Sequence, residues 1–167
     1  MSRTGQGTTF SLHLPLSLAI LDAMVTVVGL HNYLIPTSAI IESLRPTASA
    51  IVRMDDQNPL LAWRGAMLRI LSLGAEFSVA GAIEDPTRGI LVIVKPAGGE
   101  PIALLVDDLI GQEPVVVKSL EKNYRKVRGI SGATILGDGR PALILDLPSL
   151  GVAMARRPRA DAAPAVE

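Results

Sequence analysis

Short apolar runs, separated by glycine, proline and Asp/Asn-rich breaks, recur along this 167-residue chain, and almost nowhere does a helical period persist. Runs of this length suit strands, which need only a handful of residues each. Residues 8–14 alternate: Phe10, Leu12 and Leu14 point one way, and Thr9, Ser11 and His13 the other. That is the pattern of a half-buried strand, stopped here by Pro15. The apolar run 16–21 follows, then strands over 23–28 and 33–35 with a turn at 29–32 between them. Segment 39–44 is short and apolar around Glu42, 45–59 reads as loop, 66–73 as a strand and 74–88 as an irregular connection. Five successive aliphatic residues at 90–94 predict a strand buried on both faces, and Gly98-Gly99 turns it into a second strand at 102–106. A short strand is expected at 115–117. Asp138-Gly139, between 133–136 and 142–145, predicts a hairpin with a two-residue primed turn. Pro141 has no N–H to give and belongs at a strand start or an edge. Residues 147–155 suit a short closing helix. About nine or ten short strands argue an all-β sandwich or barrel, with no obvious repeat in the sequence.

Composition removes several alternatives. Hydrophobic residues make up 49% and charged residues 19%, with zero formal net charge and no cysteine. Disordered chains show the reverse balance, and globally basic nucleic-acid binding is disfavoured, a local patch staying open. Without cysteine there is no disulfide framework, thiolate zinc site or cysteine nucleophile. Half-apolar composition without net charge favours association. From Thr4 to Ile41 the one formal charge is Asp22, so a membrane span has to be considered. Gly29, His31, Asn32 and Pro36 break that stretch, which favours strands instead. Arg3 alone is a thin start for a signal peptide, and Asp22 falls where a small cleavage-site residue is wanted. A reducing, cytoplasmic setting is the expectation.

Nothing in the chain assembles into a catalytic set. His13 and His31 lack an orienting partner. Asp55-Asp56 and Asp107-Asp108 are adjacent pairs, and neighbours on a strand point to opposite faces, so they read as solvated turns. Gly137-Asp138-Gly139 lacks the strand–loop–helix setting of a phosphate loop. Segment 118–128 carries five basic residues with one aromatic, Tyr124, and reads as a solvated connection more than a nucleic-acid patch. No catalytic residue, metal ligand set or cofactor is expected. Gly5-Gln6-Gly7-Thr8-Thr9 fits either the edge of a nucleotide-lid motif or a tail. Many short strands cannot bury every aliphatic residue, and a residual apolar patch on a small β-domain marks a protein-binding surface. The residues alone therefore describe a non-catalytic β module that docks partners.

Two stretches carry a family resemblance. SGATILGDGRPALILD at 131–146 and LLVDDLIGQEPVVVKSL at 104–120 resemble the C-terminal regulatory domain of the chemotaxis histidine kinase CheA, similar in fold to the adaptor CheW. GQGTTFSLHLPLSLAIL at 5–21 resembles the last glycine box and final strand of that kinase's ATP-binding domain. Ile35-Pro36, Glu42, Arg45-Pro46 and Arg64-Gly65 match the pattern of the first lobe. The resemblance covers about residues 5–151 and implies two packed five-stranded SH3-like barrels with a short C-terminal helix. It divides the chain into a remnant of the ATP-binding domain (1–20), a CheW-like regulatory domain (21–151) and a disordered tail (152–167).

The resemblance also implies partners: the adaptor CheW, the cytoplasmic tips of chemoreceptors held in a groove between lobes, and the kinase core of CheA. It implies no nucleic acid, no direct membrane insertion, and a cytoplasmic location that reaches the membrane only through receptor arrays. By position, Ile40, Glu42, Arg64 and Gly65 match the receptor-contacting segment, and Met67, Leu68 and Ile70 lie on a candidate adaptor surface. Gly5, Gly7, Thr8 and Thr9 would be a vestigial ATP-lid box. The competing reading places Ile40 in the core and pairs Glu42 with Arg64. Arg69 departs from the family, which often has proline there. The phosphoacceptor helix, dimerisation helices and remaining ATP-site boxes are absent, so this chain should not phosphorylate anything. It would be a kinase fragment or a free regulatory module; a stand-alone CheW-type adaptor and a residual ATP-binding segment are the alternatives.

Overall fold

The computed structural model describes residues 20–53, 59–119 and 127–156, together with two strand pieces, β1 (Ser2–Arg3) and β2 (Gly7–Thr8), which pair with each other. The expectations for the alternating strand at 8–14, for Gly5 and Thr9, for Asp55-Asp56, for most of the basic run and for the tail beyond 156 lie outside these residues.

From Ile20 the chain forms β3 (Ile20–Val28), β4 (His31–Pro36), a 3-10 turn (Thr37–Ala39) and β5 (Ile40–Leu44). A second 3-10 turn (Ala48–Ala50) leads into β6 (Ile51–Arg53), β7 (Pro59–Trp63), β8 (Ala66–Ser72) and the one-turn helix α1 (Leu73–Glu76). Then come β9 (Ile90–Val94), β10 (Ile102–Val106), β11 (Asp108–Val116), β12 (Lys118–Ser119), β13 (Ile130–Ile135), β14 (Pro141–Leu145) and the helix α2 (Leu147–Arg156). The stretch 23–41 is thus strand and turn, and no helix among the described residues is long and apolar enough to cross a membrane.

The strands make two six-stranded sheets, one strand more in each than expected. The first has the order β5-β9-β10-β8-β7-β6, the second β11-β3-β4-β14-β13-β12. Both repeat one pairing pattern: two antiparallel steps, a central parallel pair (β10 with β8, β4 with β14), then two antiparallel steps. The repeat lies in the backbone and not in the side chains. The first sheet is inserted in chain order between β4 and β11 of the second.

The period of two along a strand explains why the central strands are aliphatic throughout. On β9, Ile90, Val92 and Val94 face a core shared with the second sheet, while Leu91 and Ile93 face a core inside the first. β10 divides in the same way, Ile102, Leu104 and Val106 against Ala103 and Leu105. On β4, Tyr33 and Ile35 enter the shared core and Leu34 enters the core of the second lobe. The result is three apolar layers separated by two sheets. α2 closes one end, with Leu147 and Leu150 in the shared core and Asp146 accepting from the Ser149 N–H at 3.4 Å.

Several boundaries differ from the sequence reading. The turn expected at 29–32 shrinks to Gly29-Leu30, because Gly29 at φ +59 fills the first position of a two-residue hairpin turn and lets pairing start at His31. The segment 45–59, expected as loop, contains β6. β11 begins at Asp108 and not at 115: a register shift between Leu109 and Gly111 absorbs one irregularity, and Pro114 is tolerated on an edge strand. The Asp138-Gly139 hairpin forms, but with a three-residue loop. The Gly139 N–H donates to Leu136 O, Leu136 N–H donates to Arg140 O, and only Gly139 takes the left-handed conformation, at φ +85. Asp138 instead accepts from the Arg140 N–H and side chain, at 2.9 and 2.7 Å. Pro141 starts its strand, as its missing N–H requires.

Candidate functional site

Glu42 lies on β5, one edge of the first sheet, and Trp63-Arg64-Gly65 on the β7–β8 hairpin, with β9 and β10 between them in pairing order. They nevertheless touch. Trp63 Nε1 donates to Glu42 Oε1, and Arg64 Nη2 donates to Glu42 Oε2 at 2.8 Å. The sheet therefore curls until β5 meets the β7–β8 hairpin, and these side chains close the seam. In the second sheet Thr134 Oγ1 on β13 donates to Val116 O on β11 at 2.9 Å, closing the equivalent gap.

The local chain explains the geometry. Arg64 at φ +47 and Gly65 at φ +78 are the two central residues of the tight hairpin closed by Trp63 opposite Ala66. Positive φ at both positions is what a type I′ turn demands. Glycine meets that demand freely, whereas arginine does so at some strain. On β5 the register shifts between Ile40, opposite Val94, and Glu42, opposite Ile93. The bulge sends these two residues to different faces. Ile40 packs, half-buried, on the shared core, while Glu42 comes to the seam.

The seam is polar, ringed by charge and open to solvent. The indole hydrogen bond is the largest influence holding the Glu42 carboxyl below its ordinary pKa; desolvation opposes it, and Arg64 adds a lesser hydrogen bond and a positive charge. The guanidinium also lies over the Trp63 ring, 4.7 Å from its centroid. Arg64 remains 63% exposed at its side chain, so one face of the cluster is available to a partner.

Of the predicted receptor contacts, the structure brings Glu42, Arg64 and Gly65 together and places Ile40 elsewhere. Of the predicted adaptor surface, Met67 is 56% exposed, whereas Leu68 and Ile70 are 6% and 8% exposed and point into the core of the first lobe. Alternation along β8 gives that division, and it leaves Met67 as the surface position of the three. Of the suspected lid box, Gly7 and Thr8 form β2, and Gly5 and Thr9 lie outside the described residues. Sequence reasoning missed Trp63. The signal was available: it is the sole tryptophan, directly before the Arg-Gly pair. It also missed Thr134. Among the described residues no three His, Asp or Glu side chains gather as a metal site.

Comparison with known proteins now adds to this geometry. The CheW-like domain profile matches residues 22–153. The chain belongs to the CheW-like domain family. Within it, this CheW-like module is 50% identical over 149 residues to the chemotaxis protein CheA of Klebsiella aerogenes, covering 89% of this chain and 23% of that protein. It is 48% identical over 149 residues to CheA of Salmonella typhimurium, covering 22% of it. The module thus spans less than a quarter of the length of these relatives. In fold it is similar to the scaffolding protein TtCheW of Thermoanaerobacter tengcongensis, with a TM-score of 0.61 at 13% identity over 75% of this chain and 88% of that one. The all-β architecture of two SH3-like barrels with a short C-terminal helix agrees with that neighbour.

Proposed function

We propose that this CheW-like module is a signalling scaffold of CheA type, which binds the adaptor CheW and the cytoplasmic tips of chemoreceptors and so couples receptor state to histidine-kinase activity. It works by contact and not by catalysis. The observation that carries this reading is the 50% identity to a CheA across 89% of the chain, within a domain family whose profile covers both lobes. The alignment to CheA is longer than the span 22–153, so it takes in chain outside the module proper. Residues 1–20 are read as the end of an ATP-binding domain on their GQGTT box, and the identity to CheA favours a kinase-derived module over a stand-alone adaptor.

The receptor tip would lie in the groove between lobes, with Arg64 and Glu42 on the first lobe fixing its register through charge. The adaptor would meet the first barrel near Met67. The setting is cytoplasmic, at the membrane only through receptor arrays. Titration of the folded protein with adaptor and with a receptor-tip peptide tests this directly; absence of binding to both overturns it. Glu42→Lys and Arg64→Glu should weaken receptor binding. Because these residues also close a barrel seam, each variant needs a thermal melt beside its titration.

A further inference from the structure

Asp107 is the single residue between β10, the last strand of the inserted sheet, and β11, where the chain returns to the other. Its N–H donates to Val27 O at 2.9 Å. Its side chain reaches both lobes. Oδ2 accepts from the Gly29 N–H at 2.7 Å, in the β3–β4 turn of the second lobe. Oδ1 accepts from the Ile83 N–H at 2.9 Å, in the connection that links β8 to β9 of the first. The two backbones approach closely here: a Cβ on Gly29 would stand 2.7 Å from Val79 Cγ1 and 2.9 Å from Ala80 O. The neighbouring Asp108 faces away and reaches Arg45 Nη2, at the end of β5, at 3.9 Å.

The rest of the seam between lobes is mostly aliphatic, built from residues such as Ile35, Leu71, Val92 and Leu104. Apolar burial holds two surfaces together without specifying direction. Hydrogen bonds to a carboxylate are directional and stronger than neutral ones. We propose that Asp107 is a positioning residue, an interlobe pin whose two hydrogen bonds fix the angle between the barrels and, through it, any binding surface built from both. The pin stands on the geometry alone; its consequence for binding rests on the receptor reading above.

The test uses Asp107→Ala, which removes both acceptors, and Asp107→Asn, which keeps one. Native-state hydrogen exchange reads the Gly29 and Ile83 amides. The cysteine-free chain allows spin labels at Ala97→Cys, in the β9–β10 turn, and Gly137→Cys, where a Cβ meets nothing within 4 Å. These report the distance between lobes. Asp107→Ala should speed exchange at both amides by about tenfold or more, the scale of a lost hydrogen bond to a charged group. It should also broaden or shift the distance distribution and weaken receptor-tip binding several-fold, with adaptor binding through one barrel unchanged. Asp107→Asn should release one amide and keep the other. Protected amides with an unchanged distance distribution in Asp107→Ala overturn the pin. If Asp107→Ala does not fold, the split between the two amides in Asp107→Asn carries the test. If the wild-type protein binds no receptor tip, the receptor part of the functional reading fails, and exchange and distance still decide the pin.

Discussion

Arg64 and Glu42 meet at 2.8 Å although β9 and β10 stand between β5 and the β7–β8 hairpin in the pairing order of the sheet. The charged pair proposed above to meet a partner is therefore also a clasp. A ligand carboxylate drawn to Arg64 would compete with Glu42 for the guanidinium, and Trp63 would feel the exchange at both its N–H and its ring.

The clasp should respond to acid. In the folded protein the Glu42 carboxyl sits below its ordinary value, because the Trp63 N–H and then Arg64 favour the charged form. In the unfolded chain it returns to about 4.3. The stabilisation it lends is complete above that value and is lost as pH falls through the lower, folded one. The Trp63 indole N–H resonance should therefore move with a midpoint below about 4.3, and should not move with pH in Glu42→Gln. A midpoint at or above the ordinary carboxylate value would show that the hydrogen bond does not favour the charged form.

Two glycines with similar backbones should respond differently to alanine. Gly65 at φ +78 has open space where a Cβ would go, so Gly65→Ala should lose only the backbone preference, about 1–2 kcal/mol. Gly29 at φ +59 adds two close contacts, one with backbone, and Gly29→Ala should lose about 3 kcal/mol or more. Urea denaturation of the two variants gives the comparison, and equal losses would contradict it.

On β8, Leu68→Ala and Ile70→Ala should each destabilise by about 2–5 kcal/mol, as buried aliphatic truncations do. Met67→Ala should stay within about 0.5 kcal/mol. In an adaptor titration Met67→Glu should weaken binding with its melting temperature unchanged. A destabilised Met67→Ala would place that side chain in the core.

Thr134→Val keeps shape and removes the donor that Val116 O receives across the second seam. The expected loss is about 1 kcal/mol, with Thr134→Ser closer to wild type. Chemical denaturation measures it, and a stabilised valine variant would show that the hydrogen bond does not hold the seam.

What could be read from residues alone follows from how visible each constraint is. β9 and β10 were legible to the residue, since double-faced burial leaves only aliphatics and the Gly98-Gly99 break separates them cleanly. α2 was legible from its place after the last strand. β11 was not: DLIGQEPVV carries a glycine, a proline and two acids, all of which read as breakers, and an edge strand tolerates each of them. The β7–β8 turn was obscured because an arginine, rather than asparagine or aspartate, occupies its left-handed first position. The Glu42–Arg64 pairing was legible as an alternative. The bulge that separates Ile40 from Glu42 was not, because nothing in the Ile-Ile-Glu string marks an extra residue.

The insertion of one sheet inside the other has a mechanical consequence. Whatever is joined covalently ahead of β3 or behind α2 is joined to the same lobe. The inserted lobe hangs from it by two crossings, one through Thr37–Ala39 and one through Asp107, so tension applied along the chain runs through its host and bypasses it. A force sensor built on this module would thus register strain in the host barrel first, with the insert carried as a passenger until one of those crossings gives way.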